Sequence, residues 1–253
     1  MDKYQVKILD KKEEYKNVWT YTLEKPEALT WEEGSSFHLA LPGYDEGDEV
    51  NKKLIHHLSI NTLISEGNIR FTTKIPIRKS SFKKVLASLE AGDMVTIFKI
   101  KSHMALRRED VPVIALSQGL AMSTIRPLIK RFEEDNSNIP EFISVNVNAK
   151  DTHLYEKDFS TIDESLLLKY WLDSRSDYLE KIIELANDKK DGYFYVVGSE
   201  NFVLDTLYIL RENGIEDDKI IIADIWPSNF STRPLVMARP RPVDELFLES
   251  SAL

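Results

Sequence analysis

The sequence of 253 residues contains no cysteine. This absence excludes disulfide bonds, thiolate nucleophiles, zinc sites with thiolate ligands and iron–sulfur clusters held by cysteine. If a protein of this composition moves electrons, an organic cofactor has to carry them. The five histidines show none of the spacings that are typical of metal ligands, so we expect no metal site.

Long apolar runs and a surplus of positive charge are missing as well. No window approaches about 18 uninterrupted apolar residues, so we expect no transmembrane helix and no membrane partner. The segment Met1–Lys7 lacks the apolar region of a signal peptide, which favours a soluble, cytoplasmic protein. The formal net charge of −9 argues against a nucleic-acid partner, because phosphate backbones are bound by lysine and arginine surpluses. The sequence has neither a G-x-S-x-G elbow nor a P-loop.

The N-terminal part of the chain predicts an antiparallel β-barrel. About six short runs of strand-forming residues are separated by turn signals such as Pro42-Gly43 and Glu66-Gly67-Asn68, a pattern typical of small barrels. The predicted strands are Tyr4–Leu9, Val18–Leu23, Ser36–Leu41, His57–Thr62, Ile69–Ile75 and Met94–Ile100. One helix is predicted over Ser80–Leu89, because its serines are favourable N-caps and its apolar residues follow helical spacing.

Beyond about residue 110 strands and helices alternate, which is the pattern of a doubly wound parallel-sheet domain. The predicted strands are Val111–Leu116, Phe142–Val147, Gly192–Gly198 and Lys219–Ile225, and the predicted helices are Ser123–Glu134, Leu166–Asn187 and Phe202–Asn213. Tyr170, Trp171 and Tyr178 are interpreted as a core-facing stripe of the second helix. We therefore predict a β-barrel domain over residues 1–108 and an α/β domain over residues 109–253 that ends in a proline-bearing tail.

Taken in order, several segments resemble those of the ferredoxin–NADP reductase superfamily. His56-His-Leu-Ser-Ile60 lies where that family has its R-x-Y-S flavin motif, and Ser117-Gln-Gly119 lies where a G-x-G-x-x-P nucleotide loop belongs. Further similar segments are Trp31–Leu41, Phe71–Ile75, Arg78–Lys83 and Tyr195–Val203. The resemblance covers about residues 4–226 and lies in the order and spacing of the motifs, since none of them is intact.

The resemblance implies a flavin-binding barrel followed by an NAD(P)-binding domain, with FAD as cofactor, FMN as the alternative, and NAD(P)H as co-substrate. Hydride would pass from the nicotinamide to the flavin, and a separate small molecule or protein would accept the electrons. Two departures affect the flavin motif: His56 replaces the arginine that pairs with phosphate, and Leu58 replaces the aromatic residue beside the flavin ring. In the nucleotide loop only Gly119 remains of the glycines, and Thr124 replaces the proline.

The resemblance also selects candidate site residues. Ser59, the matching serine of the flavin motif, is the candidate catalytic residue, which would poise the flavin for hydride acceptance; otherwise it is an ordinary strand serine. The candidate flavin-binding residues are His56, His57, Leu58, Ser59, Ile60, Thr73, Lys74, Ser80, Ser81, Phe82 and Trp226. The candidate nucleotide-binding residues are Gly119, Thr124, Gly198 and Ser199.

Several of these residues also have a structural interpretation: His56 and His57 could be polar strand residues, one on each side of the strand. Ser80 and Ser81 serve equally well as helix N-caps, with or without a phosphate in front of the helix. Trp226 at a strand end is compatible with packing alone. Because every motif is altered, the alternative hypothesis is a non-catalytic flavin- or partner-binding protein of the same fold. The electron acceptor, the choice between NADH and NADPH and the oligomeric state stay open at this point.

Overall fold

The computed structural model describes residues 2–148, 152–160 and 162–223. By its internal contacts the chain divides into two compact units. The first unit comprises Met1–Leu106 and Ser123–Arg131, and the second comprises Arg107–Met122 and Phe132–Leu253. The chain therefore leaves the first unit, returns to it for nine residues of one helix and leaves it again. The predicted domain boundary after residue 108 stays a prediction.

The first unit contains a six-stranded antiparallel sheet with the strand order β4-β3-β6-β1-β2-β5. Its strands are β1 Lys3–Tyr15, β2 Val18–Glu24, β3 Ser35–Ala40, β4 Ile55–Ser59, β5 Asn68–Lys74 and β6 Met94–Ser102. The sheet is barrel-like but not closed, because no ladder joins β4 to β5 in the part of the chain that the structure describes. The predicted antiparallel β architecture is confirmed.

A helix packs against this sheet through aromatic side chains. The helix α1 spans Ser81–Ser88 and buries Phe82 and Leu86 completely, as the predicted helical spacing requires. The rings of Tyr21 and Phe71 stack in the core with their centroids 5.1 Å apart. The hydroxyl of Tyr21 donates a hydrogen bond of 3.0 Å to the carbonyl oxygen of Leu86, which holds the end of α1 against the sheet.

The second unit contains a five-stranded parallel sheet with the order β11-β10-β7-β8-β9. Its strands are β7 Val113–Gln118, β8 Phe142–Val147, β9 Leu167–Leu172, β10 Tyr193–Val197 and β11 Ile220–Ile222. The helices of this half of the chain are α2 Met122–Glu134, α3 Arg175–Asp188 and α4 Glu200–Glu212. Strands β8 and β10 are buried at every residue, and most of their side chains are apolar or aromatic. The predicted α/β fold is confirmed.

The helix predicted over Leu166–Asn187 is wrong in its first third. Leu167–Leu172 forms β9 at one edge of the parallel sheet, and the helix α3 begins only at Arg175. Ser174 is its N-cap and accepts a hydrogen bond from the backbone N–H of Asp177. Pairing with β8 outweighs the helical spacing of the apolar residues, because a strand here completes the backbone hydrogen bonds of β8.

This change separates the three aromatic residues that were interpreted as one helix stripe. Tyr170 and Trp171 lie on β9 and are half-buried, and they point to opposite faces of the sheet. Only Tyr178 lies on the helix, where it is buried and its hydroxyl lies 2.8 Å from that of Thr206.

Two further features concern the ends of the described chain. The predicted last strand, Lys219–Ile225, is observed as the shorter β11, and residues 224 and 225 lie outside the described residues. Among the helices that the structure describes, none has the length and apolarity needed to cross a membrane.

Candidate functional site

The candidate flavin residues on β4 face two directions. Successive side chains of a strand alternate between the faces of a sheet, so His56 and Leu58 lie on one face and His57 and Ser59 on the other. Leu58 packs against the core of the first unit, and the next residue on that face, Ile60, is part of the core. We call the face of β4 that carries His56 and Leu58 the inner face, and the face that carries His57 and Ser59 the outer face.

On the outer face, Ser59 meets a second candidate residue. Its hydroxyl oxygen lies 2.8 Å from the hydroxyl oxygen of Thr124, which is 3% exposed and lies near the start of α2. Either hydroxyl can be the donor of this hydrogen bond. Sequence comparison assigns Thr124 to the nucleotide loop, whereas the structure places it in the first unit beside the candidate catalytic serine.

A buried ion pair anchors this part of α2. The guanidinium of Arg126 donates to both carboxylate oxygens of Glu66 at 2.9 Å, and one of its nitrogens also donates to the carbonyl oxygen of Asn61 at 2.7 Å. Burial by itself would raise the pKa of Glu66, but the hydrogen bonds and charge of Arg126, with smaller contributions from Leu63 and Arg70, hold it below its ordinary value. The helix that carries Thr124 is thus held to the loop between β4 and β5.

His57, on the outer face as well, has a polar partner of its own. Its Nε2 atom lies 2.7 Å from the hydroxyl oxygen of Ser36. Its ring centroid lies 5.3 Å from that of His38 on β3. Burial, followed by the charges of Lys99 and Lys101, lowers the pKa of His38. His57 therefore belongs to a cross-strand histidine pair on the face of β4 opposite His56.

On the inner face, His56 lies next to the start of α1. Its ring stacks on that of Phe82, with centroids 3.9 Å apart and planes inclined by 28°. Burial and the charge of Lys83 lower the pKa of His56. Ser80 is the N-cap of α1, as predicted, and its hydroxyl oxygen accepts a hydrogen bond of 3.3 Å from the backbone N–H of Lys83.

Lys83 is the most unusual cation of this cluster. Its ammonium group donates a hydrogen bond to the hydroxyl of Thr73, a buried residue of β5 and a candidate flavin residue. Burial lowers the pKa of Lys83 to about 8. Among the residues that the structure describes, no carboxylate lies within ion-pair distance of it. A partly desolvated cation without a counter-charge favours an anionic ligand.

The surroundings of Lys83 match such a ligand. Lys74, Arg78 and Lys79 are exposed on the segment that leads into α1, and Ser81 is exposed in its first turn. Lysines and helix-start N–H groups bind phosphate oxygens. The donor set therefore fits a cofactor that carries phosphate groups.

In the second unit, the remaining candidate residues lie at the carboxyl ends of β7 and β10. Gly119 follows β7 with a φ of +53°, a conformation that favours glycine. Ser199 is the N-cap of α4, and both its backbone N–H and its hydroxyl donate to the side-chain oxygen of Gln118. A Cβ atom at Gly198 would overlap the ring of Phe202, so packing within the unit already requires this glycine. Gly119, Gly198 and Ser199 thus lie at the edge where parallel sheets bind ligands.

A polar network continues along this edge. The side-chain amide of Asn146, completely buried in β8, donates to the hydroxyl oxygen of Ser117 at 2.9 Å. Its oxygen lies 3.1 Å from Nδ1 of His153, and Nε2 of the same ring lies 3.1 Å from a carboxylate oxygen of Asp173. The carboxyl edge of the sheet is therefore joined by side-chain hydrogen bonds from β9 to β7.

Solved structures with a similar arrangement of strands and helices include ferredoxin–NADP+ reductases. A ferredoxin–NADP+ reductase from Neisseria gonorrhoeae, with bound FAD and NADP, has a TM-score of 0.73 and 15% identity over 87% of this chain and 97% of its own. The fold is that of the ferredoxin–NADP+ reductases. A mutant of the Plasmodium falciparum ferredoxin–NADP+ reductase with 2′P-AMP has a TM-score of 0.72 and 14% identity, over 87% of this chain and 95% of its own.

A third similar structure extends the comparison beyond ferredoxin–NADP+ reductases. The CS-b5R domains of human Ncb5or, in an NAD+ form, have a TM-score of 0.71 and 14% identity over 88% of this chain and 69% of their own. No family model matches the chain, and no curated protein sequence matches it. At 14% and 15% identity the likeness to ferredoxin–NADP+ reductases establishes the fold, and function has to be argued from residues.

Several residues of these sites were missed by sequence reasoning. They are Glu66, Arg126, Asn146 and His153, whereas Lys83 and Gln118 lie in segments that the sequence did single out. A signal exists for Asn146, which interrupts an otherwise apolar strand together with Ser144, and for Arg126, which lies among the apolar residues of α2. His153 carries no such signal, because its surroundings come from distant segments. Trp226, the remaining candidate flavin residue, lies outside the described residues.

Proposed function

We propose that this chain is a flavin-dependent NAD(P)H oxidoreductase, with a flavin-binding domain over residues 1–108 and a nucleotide-binding domain over residues 109–253. The supporting observation is the half-buried ammonium of Lys83, which lacks a carboxylate partner in the described chain and lies beside the start of α1. In a protein with the fold of flavin reductases, such a site suits the phosphates of a flavin nucleotide. FAD is the proposed cofactor and FMN the alternative.

The chain's own residues would perform distinct tasks around that cofactor. Lys83 would balance the negative charge of the phosphate groups. His56 alone would do this weakly, because burial and the charge of Lys83 lower the pKa of His56 and disfavour its cationic form. The hydroxyl of Ser59, held 2.8 Å from that of Thr124, would orient a hydrogen bond toward the redox-active ring edge. When bound, the flavin accepts a hydride and releases electrons, chemistry that no side chain of this protein provides.

The second unit would bind the nicotinamide nucleotide. Gly119, Gly198 and Ser199 lie at the carboxyl edge of its parallel sheet, where such sheets bind nucleotides. The N–H groups at the start of α4 and its positive dipole favour a phosphate group near Ser199. Since the sequence has no cysteine to hold an iron–sulfur cluster, the electron acceptor would be a separate small molecule or protein.

An absorbance spectrum of the purified protein tests this proposal. We expect flavin bands in the near-ultraviolet and visible range that bleach on anaerobic addition of NADH or NADPH. The nucleotide that bleaches them at lower concentration is the donor, and chromatography of the heat-released cofactor distinguishes FAD from FMN. A protein that is colourless, and stays so after incubation with either flavin, contradicts the proposal and favours the alternative of a non-catalytic binding protein.

A further inference from the structure

We propose that the first unit binds a small zwitterion, a molecule with one ammonium and one carboxylate group, in a cavity near the start of β3. The cavity has a volume of about 290 Å³ and opens to solvent. It is lined by the segment before β3, by Ser35 and by the last residues of β6, all of which belong to the first unit. Its volume is at the lower end of small-molecule sites, so it suits a ligand of few atoms and not a dinucleotide. The inference does not rest on the proposed function.

The apolar part of the cavity comes from Trp31 and Ile100. Trp31 is 7% exposed, and its indole N–H donates a hydrogen bond of 2.9 Å to the carbonyl oxygen of Thr62, which fixes the ring. Ile100, on β6, packs against the same core cluster. These two side chains suit the methylene groups of a ligand, because contact with them removes apolar surface from water.

One polar side chain of the cavity is buried and has no partner. Ser35 is 2% exposed, and its hydroxyl forms no hydrogen bond with another residue of the described chain. Ser102, its direct partner on β6, donates its hydroxyl proton to the carbonyl oxygen of Glu33 at 2.9 Å and keeps its lone pairs. Buried hydroxyls normally have a hydrogen-bond partner, so the hydroxyl of Ser35 is available to a ligand.

An irregularity in β6 determines which residues reach the cavity. Relative to β3, β6 contains one extra residue, and Lys99 has a left-handed φ of +53°, which strains a residue with a side chain. In a regular ladder Lys101 would lie opposite Ser35, whereas the extra residue places Ser102 there instead. The two hydroxyls therefore lie on the same face, and Lys101 lies at the rim of the cavity.

Two opposite charges line the cavity without pairing with each other. Glu32 and Lys101 are both exposed, and neither forms an ion pair with another residue that the structure describes. The neighbouring carboxylate of Glu33 is already engaged, because it lies 3.4 Å from the guanidinium of Arg131. The lining therefore offers one free charge of each sign.

A zwitterion satisfies both of these charges at once. A simple carboxylate would face the negative charge of Glu32, and a simple amine would face the positive charge of Lys101. The ammonium group of a zwitterion would pair with Glu32 beside the indole ring of Trp31, which also attracts cations. Its carboxylate would accept hydrogen bonds from Lys101 and from the hydroxyl of Ser35.

Isothermal titration calorimetry of the purified full chain with three probes tests this site. The probe ε-aminocaproate carries both charges on a flexible methylene chain, caproate lacks the ammonium group, and hexylamine lacks the carboxylate. We expect saturable binding of ε-aminocaproate with a Kd of about 1 mM or below. Each single-charge probe should bind about three- to tenfold more weakly. No saturable binding of ε-aminocaproate, or equal affinity for either single-charge probe, overturns the inference.

Two charge variants assign each end of the probe to its residue. Glu32→Gln should weaken the binding of ε-aminocaproate about three- to tenfold and leave that of caproate nearly unchanged. Lys101→Met should weaken ε-aminocaproate and caproate and leave hexylamine nearly unchanged. Glu24→Gln and Lys7→Met, at exposed residues of β2 and β1, are the matched controls and should change none of the affinities. Control variants with the same effects would show a general influence of net charge and overturn the site.

A third variant, Ser35→Ala, separates ligand binding from folding. Because its hydroxyl has no partner in the described chain, the urea midpoint should stay unchanged or rise slightly. The affinity for ε-aminocaproate should fall about two- to tenfold, the value of one hydrogen bond. Wild-type affinity in this variant overturns the role assigned to Ser35.

None of these measurements requires a flavin or a nucleotide. A colourless protein that binds ε-aminocaproate as described contradicts the proposed function alone. A yellow protein that binds none of the probes overturns only the zwitterion site.

Discussion

Replacing Glu66 with glutamine tests whether the buried ion pair with Arg126 determines the position of α2. The carboxylate accepts four hydrogen bonds: two from Arg126, one from Arg70 at 2.5 Å and one from the backbone N–H of Leu63 at 2.8 Å. Glutamine keeps one oxygen and directs an NH₂ group at the donors on the other side. Two donors lose their acceptor, and the guanidinium loses its counter-charge.

The size of the effect follows from the burial of Arg126, which is 4% exposed. Removing one partner of a buried ion pair leaves an uncompensated charge and costs about 3–5 kcal/mol. We expect the lower end, because glutamine retains one acceptor. At a urea dependence of about 2 kcal/mol per molar, 3 kcal/mol lowers the denaturation midpoint by about 1.5 M.

The pH dependence has a definite sign. The pKa of Glu66 in the folded protein lies below its ordinary value of 4.5, so the folded state binds fewer protons than the unfolded state between the two values. The stabilisation is fully present above the unfolded pKa and is lost as the pH falls through the folded one. The difference between wild type and Glu66→Gln should therefore be constant near neutral pH and shrink in acid.

Urea titrations followed by fluorescence measure these differences. Glu90→Gln is the matched control: Glu90 is 72% exposed in its ion pair with Lys11, and its loss should cost less than about 1 kcal/mol. In a double variant, Arg126→Met combined with Glu66→Gln should cost less than the sum of the single changes. Equal midpoints for Glu66→Gln and Glu90→Gln would refute the assignment of a structural anchor to this pair.

Three further predictions concern the candidate sites. Ser59→Ala should slow flavin reduction in stopped-flow measurements while the protein stays folded, and an unchanged rate would remove this hydroxyl from the site. Lys83→Met should weaken flavin binding in fluorescence titrations. Burial lowers the pKa of this lysine from 10.5 to about 8 in the folded protein, so its charge destabilises the fold below pH 8. The Lys83→Met variant should therefore be more stable than the wild type at neutral pH. This difference in stability should disappear as the pH rises toward 10.5. Gly198→Ala should destabilise the second unit by about 1–3 kcal/mol in calorimetry, because its methyl group meets the ring of Phe202; wild-type stability would show that the ring moves freely.

The order of secondary structure could largely be predicted from the sequence, because its signals are local. Predominantly apolar runs identify β7 and β10, since strands buried on both faces favour apolar side chains at most positions. Ser80 is an N-cap that can be recognised from the sequence before the helix it precedes. The same kind of signal misleads at β9, where apolar spacing alone does not distinguish an edge strand from a helix.

Candidate site residues could be predicted only where they fall on these local motifs. Ser59 and Thr124 are both identified from their position in the chain, but 65 residues separate them and no pattern indicates their hydrogen bond. The alternation of β4, readable from the sequence, already divides His56 from His57. What each histidine then contacts depends on neighbouring strands and on α1.

By itself, the sequence therefore determined the two-part β and α/β architecture, the absence of thiol chemistry and the segments in which the candidate site residues lie. These follow from periodicity, capping and composition, which act over a few residues. Only the tertiary structure decided that Lys83 is partly buried with no carboxylate partner among the described residues, that Arg126 reaches Glu66, and that the ring nitrogens of His153 lie beside Asn146 and Asp173. The burial of a side chain and its charge partners depend on contacts between segments that are distant in the sequence. These contacts form only when the segments pack together.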